Sequence, residues 1–175
     1  MGLAFLQSTF ANSLPAFIVW TNLAHVRLAA AVGASRRFPG EDLLVVNAGS
    51  CITFDFISRE GDYLGGAISP GLAMRLKALH TFTGKLPLIN LRQARHLIGT
   101  DTAGSILSGV VNGAIAEVEG IARQYSAQFP GLRVILSGGD LKYFDKRLKI
   151  SIFALPNIVI HGLYQILLFN VTEAQ

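Results

Sequence analysis

The chain has 175 residues, enough for one domain of ordinary size or two small lobes with a buried core. Hydrophobic residues make up 51% and charged residues 15%, below the roughly 25% charged fraction of an average soluble domain, so some apolar surface is expected to face a partner subunit or another part of the protein. The net charge of +4 is thinly spread, densest at Arg36, Arg37 and the RQARH run that begins at Arg92. Without aromatic interleaving it speaks against a nucleic-acid binder, and the single Cys51 excludes an internal disulfide and a cysteine-rich zinc site, as suits a reducing cytoplasm.

Residues 1–23 carry no charged side chain and lack the basic start of a signal peptide, and 16–20 allow a short strand. The segment LAHVRLAAAVGA, 23–34, reads as a helix ending at Gly33, with the loop RRFPGED after it. Residues 43–46 form a wholly apolar strand, as expected in a sheet covered on both faces. After the turn Asn47-Ala48-Gly49-Ser50, Ile52, Phe54 and Phe56 alternate with Cys51, Thr53 and Asp55, which predicts a half-buried strand with a polar edge and a buried, inert thiol. SREGD then turns the chain, and YLGGAI returns antiparallel.

In SPGLAMRLKALHTFT, Ser69 is the expected N-cap of a helix and Pro70 its first residue. A long helix is expected at about 102–128, in which Gly109, Gly113 and Gly120 are costly unless another backbone packs close against them. RVILSGGD reads as a strand entering a glycine turn. The closing IVIHGLYQILLFN reads as a strand and a helix, too polar in its surroundings to span a membrane. Hairpin strands followed by strand–helix alternation predict an α/β domain with a mixed sheet.

Two strand ends carry the pattern of a phosphate or nucleotide site. Small residues at 47–50 let backbone N–H groups approach a phosphate and Ser50 adds a hydroxyl, although an ordinary tight hairpin needs the same residues. Gly138 and Gly139 in LSGGD remove side chains at a second strand end, and ligands of open α/β sheets sit beyond such ends. His80, His96 and His161 lack metal-ligand spacing, and no nucleophile elbow is present.

Taken in order, LAHVRLAAAVGA, NAGSCITFDF, GGAISPGLAMRLKALHTFTGKLP, GTDTAGSILSGVVNGAIAEVEG and LSGGD resemble the type III pantothenate kinases over about residues 22–171. The resemblance implies an α/β ribonuclease H-like lobe of the actin-like ATPase and sugar kinase fold, with a mixed sheet and flanking helices. It also implies ATP-dependent phosphorylation of pantothenate, the first step toward coenzyme A, by a homodimer using Mg²⁺ and a monovalent cation, K⁺ or NH₄⁺.

Carried over residue by residue, the resemblance is uneven. The substrate-gripping G-x-D-R motif falls on Ala24-His25-Val26-Arg27. Arg27 can still pair with the substrate carboxylate, but Val26, at the position of the family's catalytic aspartate, has no group to accept a proton. The D-x-G-T loop falls on Asn47, Ala48, Gly49 and Ser50. The Ser50 hydroxyl is retained for the nucleotide phosphates, while Asn47 keeps an oxygen for the monovalent cation and loses the charge. Gly49, Ser50, Gly138 and Gly139 are thus expected on the ATP side.

Thr102 matches a threonine that contacts substrate, or simply caps a helix beside Asp101. Asp55 and His25 are the candidates to replace the base, although a helical neighbour of Val26 points about 100° away from it. Nothing before Leu23 resembles the family's first phosphate loop. Residues 1–40 therefore read as a remnant of the first lobe with a connecting helix, and 41–175 as the second lobe. Turnover is expected to be impaired, and the alternatives are a lapsed kinase serving as a ligand-binding or partner subunit, or a relic folded only as a dimer.

Overall fold

A computed structural model describes residues 22–94 and 96–173, so the short strand expected at 16–20 lies outside the described residues. One mixed sheet contains β1 (Leu43–Ala48), β2 (Cys51–Ile57), β3 (Tyr63–Pro70), β4 (Arg133–Ser137) and β5 (Phe153–Ala154) in the order β3-β2-β1-β4-β5. The β1–β2 and β2–β3 pairs are antiparallel, and β4 runs parallel to both β1 and β5. This is the expected ribonuclease H-like lobe of the actin-like ATPase and sugar kinase fold.

The apolar strand β1 is central because it can bury both faces. Leu44 and Val46 join a core with Phe54, Leu136, Val111 and Phe144 beneath α2 (Leu72–Phe82), α3 (Thr102–Leu107) and α4 (Gly113–Gln128). Leu43 and Val45 face the other way, onto Ala30, Ala34 and Ile158 of α1 (Asn22–Arg37) and α5 (Ile158–Glu173). β2 is buried on both faces, with Asp55 fully enclosed, so its polar edge is an internal one; Cys51 is only half-buried. α3 runs through a single π-helical turn, Ser108–Asn112, into α4, giving the continuous helix expected at 102–128.

Glycine positions account for most differences from the expected boundaries. Gly33 does not end α1, which continues to Arg36 and Arg37, cations suited to a helix C-terminus. It is instead a packing site: a Cβ there would stand 2.5 Å from the Ile158 carbonyl oxygen. The matching Gly162 would place a Cβ 1.7 Å from the Ala29 carbonyl, so the two helices cross backbone to backbone. That contact draws IVIHG into α5, and the strand lies earlier, at Phe153–Ala154. Ser69 and Pro70 belong to the end of edge strand β3 rather than to α2, whose N-cap is Gly71. By contrast, no atom lies within 4 Å of a Cβ built on Gly109, Gly113 or Gly120, so among the described residues no backbone packs against them.

Asp42, just before β1, accepts the Arg59 backbone N–H at 2.8 Å and its guanidinium at 2.5 Å, tying the β2–β3 turn to the sheet. The Arg59 side-chain hydrogen bond holds the Asp42 carboxyl below the usual aspartate range, against the opposing effect of burial. This contribution is complete above the unfolded aspartate pKa of about 3.9 and is lost as pH falls through the lower folded value. In melting curves at descending pH, Arg59→Ala is expected to lose less of its melting temperature below about pH 4 than the parent chain does.

Candidate nucleotide and substrate site

Because β1 and β4 are parallel neighbours, their carboxyl ends arrive together, with Asn47 opposite Ser137. Beyond them Asn47, Ser137, Gly138, Gly139, Asn157 and Ile160 border a hollow of about 230 Å³. Gly138 has φ +103° and approaches so closely that a Cβ would lie 2.1 Å from the Ala48 carbonyl, a position only glycine fills. The Asp140 N–H donates to that same carbonyl at 3.0 Å and closes the turn. Gly139 has open space where a Cβ would stand, so it leaves bare backbone facing a ligand. Burial pushes the Asp140 carboxyl up from its ordinary range, partly opposed by Lys142.

The structure thus brings together Asn47, Gly138 and Gly139. Gly49 and Ser50 lie in the adjoining turn, where the Gly49 N–H donates to the Cys51 carbonyl at 2.9 Å and the Ser50 hydroxyl group stands exposed. Gly71 presses on this turn, donating to the Ser50 carbonyl at 3.1 Å with no room for a side chain, which is why α2 starts on a glycine. Asn157, in the left-handed region at φ +67°, sits at the rim where α5 begins.

The residues expected on the substrate side lie elsewhere. Ala24, His25, Val26 and Arg27 occupy the first turns of α1, with His25 half-buried and Val26 41% exposed. Arg27 is not loose: its Nε donates to Asp55 Oδ1 at 2.8 Å, its Nη2 stands 2.7 Å from the same oxygen in an ion pair, and the Tyr63 hydroxyl donates to that oxygen at 2.7 Å. Burial disfavours the Arg27 cation, but the hydrogen bonds and charge of Asp55 prevail and raise its pKa. Asp55, enclosed and accepting from both Arg27 and Tyr63, is therefore engaged as a partner for Arg27.

Thr102 opens α3 after the N-cap Asp101, whose carboxylate accepts the Gly104 N–H at 2.5 Å. It lines an open cavity of about 1080 Å³ between α2 and α3, along with Arg75, Leu79, Phe82 and Ser105. Arg75 is anchored there, donating to the Pro70 carbonyl at 2.8 Å and pairing with Glu117 at 2.5 Å. Asp55 shares the sheet face of Ile57 under α1, whereas the cavity wall belongs to the core under α2. Within one chain the sheet therefore separates Arg27 from Thr102.

The described residues offer the family's divalent cation no cluster of protein ligands. Among the described residues no group of three or more His, Cys, Asp and Glu side chains converges, and the neutral Asn47 oxygen is a weak donor for a hard cation. What sequence reasoning missed was the use of Asp55 and Tyr63 as holders of Arg27, and of Arg75 in the cavity. The acidic residue on a strand rich in apolar neighbours was the signal for the first; nothing in the spacing of Arg75 pointed to the second.

The strand order and the convergent ends of β1 and β4 place the chain in the actin-like ATPase and sugar kinase class of lobes. A solved structure named as a Baf family transcriptional activator from Campylobacter jejuni shares the fold, with TM-score 0.62 and 23% identity over 88% of this chain and 68% of that one. Residues 26–124 match the family described as type III pantothenate kinase. The type III pantothenate kinase of Flavobacterium johnsoniae is 47% identical over 79% of this chain and 57% of its own length, and that of Christiangramia forsetii is 46% identical over 84% and 60%. The Bacteroides fragilis enzyme is 42% identical over 91% of this chain and 72% of its own length. The chain belongs to the type III pantothenate kinase family, and it spans less than two thirds of the length of the first two of these relatives.

Among the described residues, only the helix over Thr102–Gln128 is long and apolar enough to cross a membrane, and half of its most apolar window is buried in the fold.

Proposed function

We propose that residues 41–175 are the second lobe of a cytoplasmic pantothenate kinase and that α1 connects it to the first lobe. It binds ATP in the hollow at the ends of β1 and β4 and pantothenate near Arg27, and phosphorylates the vitamin poorly. The observation that carries the reading is the convergence of Asn47, Gly138 and Gly139 on one hollow in a chain of this family. Mg²⁺ enters with the ATP phosphates, whose charge it neutralises, and Asn47 marks the weakened K⁺ or NH₄⁺ position.

Pairing of two copies follows from the separation of Arg27 and Thr102, because one chain's α1 can meet only another chain's α2–α3 cavity. Exposed Phe82, Leu88, Leu97 and Ile98, at 87, 59, 79 and 78%, supply apolar surface on the α2 side for such a homodimer. Light scattering on a sizing column is expected to give twice the 18.8 kDa chain mass. The second reading, a lapsed kinase acting as a ligand-binding or partner subunit, is favoured by Val26 at the base position.

Gly139→Val tests the nucleotide site, because the position has free space and no left-handed φ, so the fold tolerates the change while the hollow fills. In calorimetric titrations ATP affinity is expected to fall about tenfold or more with an unchanged melting temperature. Equal ATP binding by parent and variant would place the nucleotide elsewhere, and binding of neither ATP nor pantothenate by the parent would leave only the relic.

A further inference from the structure

The pairing of Arg27 with Asp55 is one-sided. Arg27 Nε and Tyr63 Oη both donate to Oδ1, with Arg27 Nη2 2.7 Å from the same oxygen, while Asp55 Oδ2 is buried without a partner among the described residues. Thr53, two residues earlier on the same face of β2, also buries an unpartnered hydroxyl oxygen. A carboxylate enclosed in this way, whose charge partner among the described residues is Arg27, cannot release it without leaving an uncompensated buried charge. The guanidinium has five N–H groups in a rigid plane, of which the Nε one is hydrogen-bonded to Oδ1 with Nη2 close beside it, so the Nη groups are held in fixed directions. The side chain keeps 17% of its surface open, whereas that of Asp55 keeps none.

An arginine held along one edge recognises a carboxylate better than a free one, since its rotamer freedom is already lost before the ligand arrives. The Tyr63 hydroxyl donates to the same oxygen. Burial, reinforced by its hydrogen bond to Asp55, pushes its phenol well above the ordinary tyrosine range, so it remains a donor at any physiological pH.

Resting on the substrate reading above, we propose that Asp55 and Tyr63 are positioning residues that orient the Arg27 guanidinium toward the carboxylate of pantothenate and so set the preference for an acid over its uncharged analogues. Neither residue touches the vitamin. Tyr63 fixes the Asp55 carboxylate, and Asp55 fixes Arg27.

The experiment is a pair of calorimetric titrations, one with pantothenate and one with its alcohol analogue, in which a hydroxymethyl group replaces the carboxylate. The parent chain is expected to prefer pantothenate by about tenfold or more, the worth of a charge-assisted pair. Tyr63→Phe, which keeps the ring and removes only the donor, is expected to cut that preference to about threefold or less while leaving ATP affinity unchanged. Asp55→Asn is expected to abolish it, and Tyr63→Phe keeps the test alive should the asparagine variant not fold. A merely structural role for Tyr63 would shift both ligands alike and leave the ratio intact, which overturns the inference. So would a parent that binds acid and alcohol equally, and in that case the pantothenate reading itself still stands. A parent that binds neither overturns both.

Discussion

Supplied with pantothenate, ATP, Mg²⁺ and K⁺, the chain is expected to turn over at least about 10²- to 10⁴-fold more slowly than an intact relative, the usual loss on removing a general base. Val26→Asp alone is expected to restore less than about tenfold of it. The reasoning starts from the side chains. An isopropyl group at position 26 can accept no proton from the attacking hydroxyl, and its 41% exposure means that an aspartate there would fit. Phosphoryl transfer nonetheless depends chiefly on positioning and on neutralising phosphate charge. On the proposed reading the cation that helps to neutralise this charge loses its anionic ligand at Asn47, whose neutral amide side chain borders the hollow. The check is ATP consumption that depends on pantothenate, measured for the parent, Val26→Asp, and Val26→Asp combined with Asn47→Asp. A gain of about a hundredfold or more from the single substitution would show that charge neutralisation is already adequate. A gain only in the double variant would bear out the two-fault account.

The largest expected effect on stability is at the crossing of α1 and α5. Gly162→Ala places a methyl group 1.7 Å from the Ala29 carbonyl oxygen, and the obstacle is backbone, which cannot rotate away. The helices must separate, opening the core formed by Ala30, Ala34, Leu43, Val45 and Ile158. Overpacking of this kind costs about 3 kcal/mol or more, equivalent to a drop of about 6–12 °C in melting temperature for a chain of this size. Gly120→Ala is the matched control: it lies in a helix with nothing near its missing Cβ, and is expected to be neutral or slightly stabilising through better helix propensity. Thermal melts of the two variants check this directly, and equal melting temperatures would show that α1 and α5 can move apart without loss.

The comparison of these two glycines shows what a sequence conveys and what it withholds. All the helical glycines look alike as letters, and reading Gly33 as a helix end and Gly109, Gly113 and Gly120 as packing sites inverts their roles, because whether a Cβ has room depends on an element far away in the chain. The same limit applies to Asp55. Its place in an alternating strand is legible, but not that the face it occupies is covered by α1, which turns a polar edge into an enclosed ion pair with Arg27 and Tyr63.

By itself the sequence determined the family, the mixed α/β class, the strands β1 to β4 and the two glycine turns, since these rest on local periodicity and on short motifs whose spacing is set along the chain. It determined as well that Val26 has no proton-accepting group and Asn47 no charge, because those are properties of single side chains. Only the tertiary structure decided that Asn47, Gly138 and Gly139 share one hollow, and that Arg27 and Thr102 do not share a face of the sheet. Strand order and the side on which each helix packs are set by contacts between residues distant in sequence, and a linear pattern does not carry those contacts.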